Sequence, residues 1–598
     1  MAGYCGTILR VNLTDGAISK EDLDLELAKK FVGGRGLATY ILSQEIDPTI
    51  DPLSPENKII FATGPLTGSQ APTSARYMVV TKSPLSGTVA SSNSGGFWGP
   101  ELKKAGIDLI IVEGKSEKPC YIYINDETIE IRDARKYWGK LVGETTDQLA
   151  KEAGDPKARI LTIGPAGEKM SMLACILNDK FRAAGRSGVG AVMGSKNLKA
   201  IVVRGTGKVE CAKPGPTKEI IKGILQKIRE NDVTAKGLPT YGTSILVNVI
   251  NETGIYPTDN FQRSYFETAD KTSGETLAEK YLVKNVACFR CPIACGRLSK
   301  LDGITTEGPE YETIWAYGAD CGVDDLPAII RANNWCNEYG LDTISTGATI
   351  ACAMELYQKG IIKPDEIDGP PLEFGSGEAI VEWTRKMGAG EGFGTKLALG
   401  SYRLAELYGA PELSMSVKKL EIPAYDPRGV QGHGLQYATS NRGGCHVRGY
   451  MIAPEILGLP EKLDRLSIDG KAVWVKAFQD LTAVIDSLGL CLFTSFAIDA
   501  DDYRDMFNAI IGEDWTTEML LEAGDRIWNI ERLFNLKAGV QPDQDKLPPR
   551  LLNDPIPDGP SKGHVHRLSE LLPEYYQQRG WSEEGIPAEE KLAKLGIA

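Results

Sequence analysis

From residue 1 to about residue 207, short β-branched runs alternate with glycine-rich connections, at 59–61, 77–81, 109–112, 121–124, 128–131, 160–163 and 200–204. Runs of this length and composition predict strands. Residues 121–132 are apolar and polar by turns around Asn125, Asp126 and Glu127, which predicts a hairpin. Residues 21–42 carry helical periodicity interrupted by Gly33, Gly34, Arg35 and Gly36. The first third of the chain is therefore expected to be rich in sheet.

The pattern changes after a stretch punctuated by Pro and Gly at 211–217. Apolar positions then recur at helical spacing over 218–229, 326–338, 343–358, 377–387 and 395–408. A second change falls near 414–427, and the last third is again mainly helical. Six prolines between residues 541 and 560 are too many for a helix or a central strand, so that stretch is expected to run extended over the surface. No internal repeat or low-complexity tract is found. The reading is an α+β chain, with a β-rich base domain over 1–210 and two mainly helical domains over 211–416 and 417–598.

Composition narrows the function. With 42% hydrophobic and 25% charged residues the chain is an ordinary globular protein. Its apolar windows, such as 348–356, fall short of the roughly 18 residues a spanning helix needs, and residues 1–12 lack the layout of a signal peptide, so a cytoplasmic location is expected. Lys plus Arg is 67 and Asp plus Glu is 80, a net charge of −13, without a long basic block; nucleic acid is not an expected partner. Only four histidines are present, His433, His446, His564 and His566, which speaks against a site built on several imidazoles. Any protein-ligated metal falls to cysteine.

Of twelve cysteines only Cys288, Cys291 and Cys295 cluster, at C-x2-C-x3-C spacing. Zinc and [4Fe-4S] centres both prefer four protein ligands, and no second C-x2-C pair or nearby histidine completes a zinc set. An iron–sulfur cluster with one distant fourth cysteine fits the spacing, with zinc and a metal-free loop as alternatives. The order is the reverse of the radical-SAM pattern. The best fourth candidate is Cys491, which ends Asp486-Ser487-Leu488-Gly489-Leu490-Cys491. That segment echoes Asn337-Glu338-Tyr339-Gly340-Leu341-Asp342, and each places a polar side chain before a glycine turn that follows a helical pattern, as hydrogen bonding to a heterocycle would need. Three stretches, Thr73 to Arg76, Ser91 to Gly99 and Phe181 to Gly190, together combine glycines that allow close backbone approach with forked donors from Arg76, Arg182 and Arg186, which suits a phosphate-bearing cofactor, with glycine-rich turns between strands as the alternative. Neither the dinucleotide fingerprint nor the P-loop is satisfied. Glu312 and His446 are a workable acid and base pair.

These stretches, taken in order, resemble the tungsten-dependent aldehyde:ferredoxin oxidoreductase family. The likeness runs from residues 4–13 through Gly33 to Leu37, 62–68 and the stretches above to 547–550. The resemblance implies a base of two β-sheets carrying a tungsten (or molybdenum) bis-pterin cofactor, covered by two mainly helical domains. By matching motif it implies that Arg76, Asn93, Gly95, Arg182, Ala183, Gly185 and Arg186 bind pterin and phosphate, with Mg2+ between the phosphates. Asp342 and Asp486 would hold one pterin each, with Leu341, Arg448 and Leu492 close by. Cys288, Cys291, Cys295 and Cys491 would ligate one [4Fe-4S] cluster. Asn337 departs from the pattern, standing where some members have Asp. With no histidine before His433, the Glu and His metal bridge of some dimers cannot be built, so any homo-oligomer is expected to lack it.

The implied activity is oxidation of an aldehyde to a carboxylic acid with water as the oxygen source. Glu312 would be the general base, and His446 would hydrogen-bond the carbonyl oxygen or the metal oxo group. Electrons would leave through the cluster to ferredoxin or a small iron–sulfur subunit. A benzoyl-CoA-reductase-like relative, with Cys321 as a metal ligand, and a non-catalytic electron-transfer subunit are the alternatives.

Overall fold

Two six-stranded sheets form the base of the molecule in a computed structural model that describes residues 1–597. The first contains β1 (Thr7–Asn12), β2 (Ile18–Asp22), β3 (Ile59–Thr63), β4 (Tyr77–Lys82), β5 (Val89–Ser94) and β6 (Leu109–Glu113), in the order β2-β1-β6-β3-β4-β5. The second contains β7 (Cys120–Asn125), β8 (Thr128–Asp133), β9 (Arg159–Thr162), β10 (Ile176–Asn178), β11 (Arg182–Ala184) and β12 (Leu198–Arg204), in the order β11-β10-β9-β12-β7-β8. Each strand expected from an apolar run is present. The β7–β8 hairpin closes with Asn125 opposite Thr128 and Asp126 in the left-handed region at φ 47°. Strand β5 (Val-Ala-Ser-Ser-Asn-Ser) has no apolar run to announce it; six residues of pairing with β4 hold it in the sheet.

Alternation of side chains along these strands builds three layers. Leu9, Phe61, Val79 and Ile110 of the first sheet share one core with Ile122, Leu161, Ile201 and Val203 of the second. The other face of the first sheet, with Ile60, Met78 and Ile111, packs on helices Gly34–Glu45 and Thr517–Lys537 through Leu37, Ile41, Ile527 and Phe534. The other face of the second sheet packs on helix Val142–Ala153 through Leu149.

The rest of the chain is mainly helical, as expected. Helix Leu326–Tyr339 begins where the Asp325 side chain accepts from Ala328 N and ends at Gly340, φ 76°. Helix Thr343–Gln358 follows at once, capped by Asp342, which accepts from Ile344 N at 3.1 Å. Helix Lys471–Leu488 ends in the same way at Gly489, φ 86°. Glycine takes these left-handed stops without the Cβ penalty that other residues meet.

Three expectations change. Residues 21–42 divide into the end of β2 and helices Leu25–Phe31 and Gly34–Glu45. The break serves packing, because a Cβ on Gly34 would come within 2.5 Å of Asp486 O. The run 395–408 is cut into Gly394–Leu397 and Ser401–Leu407 by Gly400, φ 89°. Residues 541–560 are not extended throughout: Pro549–Asn553 is a short helix whose opening prolines occupy positions that need no N–H donor. The helical part also carries a three-stranded sheet, β13 (Leu282–Val286), β14 (Gly296–Leu301) and β15 (Ile304–Glu307), that periodicity did not announce. No helix among the described residues is long and apolar enough to cross a membrane.

Candidate active site and cofactor cradle

The loop between β13 and β14 carries Cys288, Cys291 and Cys295. Arg290 (φ 49°) and Ala294 (φ 51°) bend it tightly, and Cys291 N donates to Cys288 O at 3.1 Å. Thr73 N donates to Arg290 O (2.9 Å) and Phe289 N to Gly96 O (3.1 Å), which fastens the loop to the base. Cys491 arrives from the turn after helix Lys471–Leu488, and all four cysteines line one cavity of about 30 Å³ with Arg76 and Arg182. Burial pushes the Cys291 thiol up to about 11, with Cys491 adding to it, and pushes Cys295 well above the usual range. Thiols raised in this way ionise at neutral pH only around a cationic centre. Among the described residues no group of three or more His, Cys, Asp or Glu side chains could hold a metal ion. A cluster of several irons spreads its cysteine ligands more widely than a lone zinc, so this donor set fits the cluster better.

The two echoing loops sit on matching supports. After β3, Gly64 and Pro65 turn beneath Leu488–Gly489, and a Cβ on Gly64 would overlap the Leu488 carbonyl. After β9, Gly164 and Pro165 turn beneath Tyr339–Gly340, and a Cβ on Gly164 would overlap the Tyr339 carbonyl. Leu66 N donates to Leu488 O (3.0 Å) on one side and Cys175 N to Gly340 O (2.9 Å) on the other. Each loop therefore rests on a Gly-Pro turn from a different sheet, which gives the base its two-fold character.

Behind the loops lies an interior rich in arginine. Asp342 accepts from Arg186 Nε at 3.1 Å, and the rest of that guanidinium donates to Gly444 O (2.6 Å), Ser345 Oγ (3.2 Å) and Glu421 O (2.7 Å). Asp486 is held by Arg448, by Arg35 at 3.3 Å and by Asn93 Nδ2 at 3.0 Å. Arg35 is itself paired at two points with Glu531, both at 2.7 Å. Arg76 links the two regions, donating to Asn93 Oδ1 (3.0 Å) and to Cys491 Sγ (3.1 Å). Arg182 pairs with Glu307 at 3.1 Å, and Arg442 donates to Ser91 O at 2.7 Å.

Positive charge exceeds negative here. Burial pushes Arg448 down to about 10, with Arg35 and Arg442 next in effect. At Cys445 burial raises the thiol pKa, but Arg442, Arg448 and Arg186 outweigh it and the net shift is downward. Arg442 Nε and Arg448 Nε are buried without partners. Space opens beside Gly185, where a Cβ would meet nothing within 4 Å. A net-positive interior with free guanidinium donors fits an anionic, phosphate-bearing group such as a pterin cofactor.

Above this interior is a cavity of about 350 Å³. Among the residues expected at the site, Arg76, Gly95, Arg182, Ala183, Cys288, Cys295, Glu312, His446 and Leu492 line it. Asn93, Arg186, Arg448, Asp342 and Asp486 do not, and form the hydrogen-bonded layer described above. Leu341 is buried beside Asp342. Glu312, on helix Tyr311–Tyr317, is 13% exposed, and its Oε2 accepts from Ala424 N at 3.0 Å. Its Oε1 has no partner and faces His446 Nε2 at 3.6 Å, and His446 Nδ1 also lacks a partner. Burial lifts the Glu312 carboxyl to about 8, and burial together with Arg186 holds His446 well below its usual range, so the imidazole is neutral. Tyr311, Tyr425, Tyr450, Phe493 and Phe496 complete much of the wall.

Asn337 also lines the cavity, but its amide is occupied locally, donating to Thr306 Oγ1 (2.9 Å) and Glu307 O (3.2 Å). Cys321 does not reach the cavity; its buried thiol faces the carbonyls of Ala316 (3.2 Å) and Gly347 (3.5 Å). The sequence reading missed Arg35, which with Glu531 clamps the second loop, and Arg442, which donates to Ser91 O. The helix-breaking glycines around Arg35 were the one available signal. For Glu531 and Arg442 there was none, since both act across hundreds of residues of chain.

The N-terminal-domain model of aldehyde ferredoxin oxidoreductase matches residues 8–205, and the model of domains 2 and 3 of the same family matches residues 219–597. The chain is 58% identical over 603 residues to the tungsten-containing aldehyde ferredoxin oxidoreductase of Pyrococcus abyssi, covering 100% of this chain and 99% of that one. It is 58% identical over 602 residues to the protein of the same name from Pyrococcus furiosus, covering 100% of both. Among solved structures it is similar to the active-site complex BamBC of benzoyl-coenzyme A reductase with 1,5-dienoyl-CoA, with a TM-score of 0.85 and 28% identity over 100% of this chain and 97% of that one. The resemblance read from the sequence holds over the whole length: the chain belongs to the aldehyde ferredoxin oxidoreductase family.

Proposed function

We propose that this chain oxidises aldehydes to carboxylic acids, R-CHO + H2O going to R-COOH with two protons and two electrons released, at a tungsten (or molybdenum) bis-pterin centre. The family and the relatives named as tungsten-containing aldehyde ferredoxin oxidoreductases support this. The structural observation that carries it is the facing pair of Glu312 and His446, each with an unpartnered atom, in a cavity that also reaches Cys288 and Cys295. Arg76, Asn93, Gly95, Arg182, Ala183, Gly185 and Arg186 would hold pterin and phosphate, with Mg2+ as counter-ion to the phosphates. Asp342, Asp486, Leu341, Arg448 and Leu492 would complete the two pterin sites. Cys288, Cys291, Cys295 and Cys491 would ligate a [4Fe-4S] cluster. When bound, the metal centre supplies a two-electron acceptor beside the aldehyde carbon.

The chain's own groups move the protons. Glu312 as carboxylate takes a proton from water or from the aldehyde hydrate at Oε1, and a carboxyl pKa of about 8 suits a base working near neutral pH. His446 stays neutral; in the tautomer with its proton on Nδ1 it donates to the substrate oxygen and stabilises developing charge, and its bare Nε2 accepts from Glu312 once Oε1 has taken its proton. The tyrosine and phenylalanine wall limits water around the pair, which strengthens these contacts. Ferredoxin or a small ferredoxin-like subunit takes the electrons. The benzoyl-coenzyme A reductase alternative needed Cys321 at the metal, and that thiol is turned into the core. Elemental analysis of anaerobically purified protein is the test. Near one W with about four Fe per chain, and aldehyde oxidation with a dye acceptor, is the expected result; iron without W or Mo, or zinc alone, overturns the proposal.

A further inference from the structure

The loop that brings three cysteines to the four-cysteine cavity also reaches the surface. Phe289 and Arg290 stand between Cys288 and Cys291, Arg290 exposed and Phe289 half-buried. Phe97, just before helix Trp98–Lys104, is 36% exposed, one of few large apolar side chains so open to solvent. The hydrogen bond from Phe289 N to Gly96 O makes the two aromatic residues neighbours. Cations cover both rings: Lys104 Nζ lies 5.6 Å and the Arg290 guanidinium 5.7 Å from the Phe289 centroid, and Arg159 lies 4.8 Å from that of Phe97.

Few carboxylates answer these cations. Glu101, which pairs with Lys104, is buried and shared with Arg204. Asp179 is 4.0 Å from Arg159. Arg290 forms no ion pair among the described residues, and exposed Lys208 sits next to Gly207, whose N–H donates to Lys104 O. The result is a net-positive patch with an aromatic centre on a chain of net charge −13.

We propose that this patch is the docking face for a small acidic iron–sulfur protein that draws electrons from the four-cysteine centre, an inference that rests on the redox function proposed above. An acidic partner is repelled by the surface as a whole and attracted here, so long-range steering selects one orientation. Phe97 and Phe289 give the contact an apolar middle, with the cations at its rim. A partner seated on Arg290 stands next to Cys291 and two positions along the chain from Cys288. Each aldehyde oxidised with water releases two electrons, and each transfer reduces one oxidised cluster of the partner by one electron, so one turnover takes two transfers.

The test uses the holoenzyme and an acidic two-cluster ferredoxin as probe. Arg290→Glu, and separately Lys104→Glu combined with Phe97→Ser, are compared with wild type in aldehyde oxidation linked to ferredoxin and to a small viologen dye. Ferredoxin binding is measured in parallel by calorimetric titration at low and moderate salt. In both variants kcat/KM for ferredoxin and the binding affinity are expected to fall by at least about tenfold and to lose their salt dependence, with dye-linked turnover kept within about twofold. Unchanged ferredoxin kinetics and affinity in both variants overturn the docking face. Absence of dye-linked turnover in the wild type overturns the redox function instead, and the binding titration then decides the docking face by itself.

Discussion

Glu312→Gln should separate the work of this carboxyl from its cost to the fold. Burial lifts its pKa from 4.5 to about 8, and the hydrogen bond from Ala424 N and the charge of Arg186 offset that only in part. A base with that pKa is about 10% ionised at pH 7 and about 90% at pH 9, so kcat/KM for an aldehyde should rise nearly tenfold across this range. The variant has no proton to exchange. Its kcat/KM should fall by about 10²–10⁴-fold at pH 9 and its alkaline rise should vanish. Stability should move the other way. The folded carboxyl holds its proton more tightly than the unfolded one, so its contribution is favourable below pH 4.5 and is lost as pH rises through 8. Linkage puts the loss at about 1 kcal/mol at pH 5.5 and about 4 kcal/mol at pH 8. The amide can still accept from Ala424 N and carries no charge, so the unfolding temperature of the metal-free variant should exceed that of wild type by a margin that grows with pH. Steady-state assays from pH 6.5 to 9.5 and calorimetric scans of the metal-free proteins at pH 5.5 and 8 check both halves. An alkaline rise that survives in the variant, or a thermal margin that does not grow with pH, refutes the reasoning.

Arg186→Met should cost about 3–5 kcal/mol, because it strands the buried Asp342 carboxylate and three further acceptors; chemical denaturation followed by fluorescence reads the loss. Arg76→Met removes a positive charge and a hydrogen bond from beside Cys491 Sγ, so the cluster potential should fall on the order of tens of mV with iron content kept, as measured by redox titration with electron paramagnetic resonance. Cys491→Ser should lower bound iron per chain, whereas Cys321→Ser, at a thiol that faces backbone carbonyls in the core, should leave iron and turnover as they are. Gly164→Ala would drive a methyl into the Tyr339 carbonyl and displace the first loop, with released pterin per chain as the readout and loss of at least half expected.

Local signals carried much of the architecture. The β-branched runs located β3, β4, β6, β7, β9 and β12, because a strand buried on both faces must be apolar whatever its neighbours are, while the more exposed β8 was located by its alternation of apolar and polar positions. Glycines after periodic runs located the helix stops at Gly340 and Gly489, because the left-handed conformation is cheap only without a Cβ. Strand β5 escaped notice since its serines and asparagine are tolerated only through pairing with β4. The strands flanking the cysteine loop escaped because β13 is largely exposed and β14 breaks its two leucines with Arg, Ser and Lys, so neither carries an apolar run. The spacing of Cys288, Cys291 and Cys295 was legible as chemistry, since three thiols in one turn of chain have few other uses.

By itself the sequence determined the alternation of strand and helix, the two glycine-stopped loops and the run of three clustered cysteines, because each is encoded in residues a few positions apart. The tertiary structure alone decided which charges face each other. Arg35 meets Glu531, Arg76 meets Cys491 and Glu312 meets His446 across long stretches of intervening chain. Their energies depend on separation and on exclusion from water, and neither quantity exists until the sheets and helices have packed.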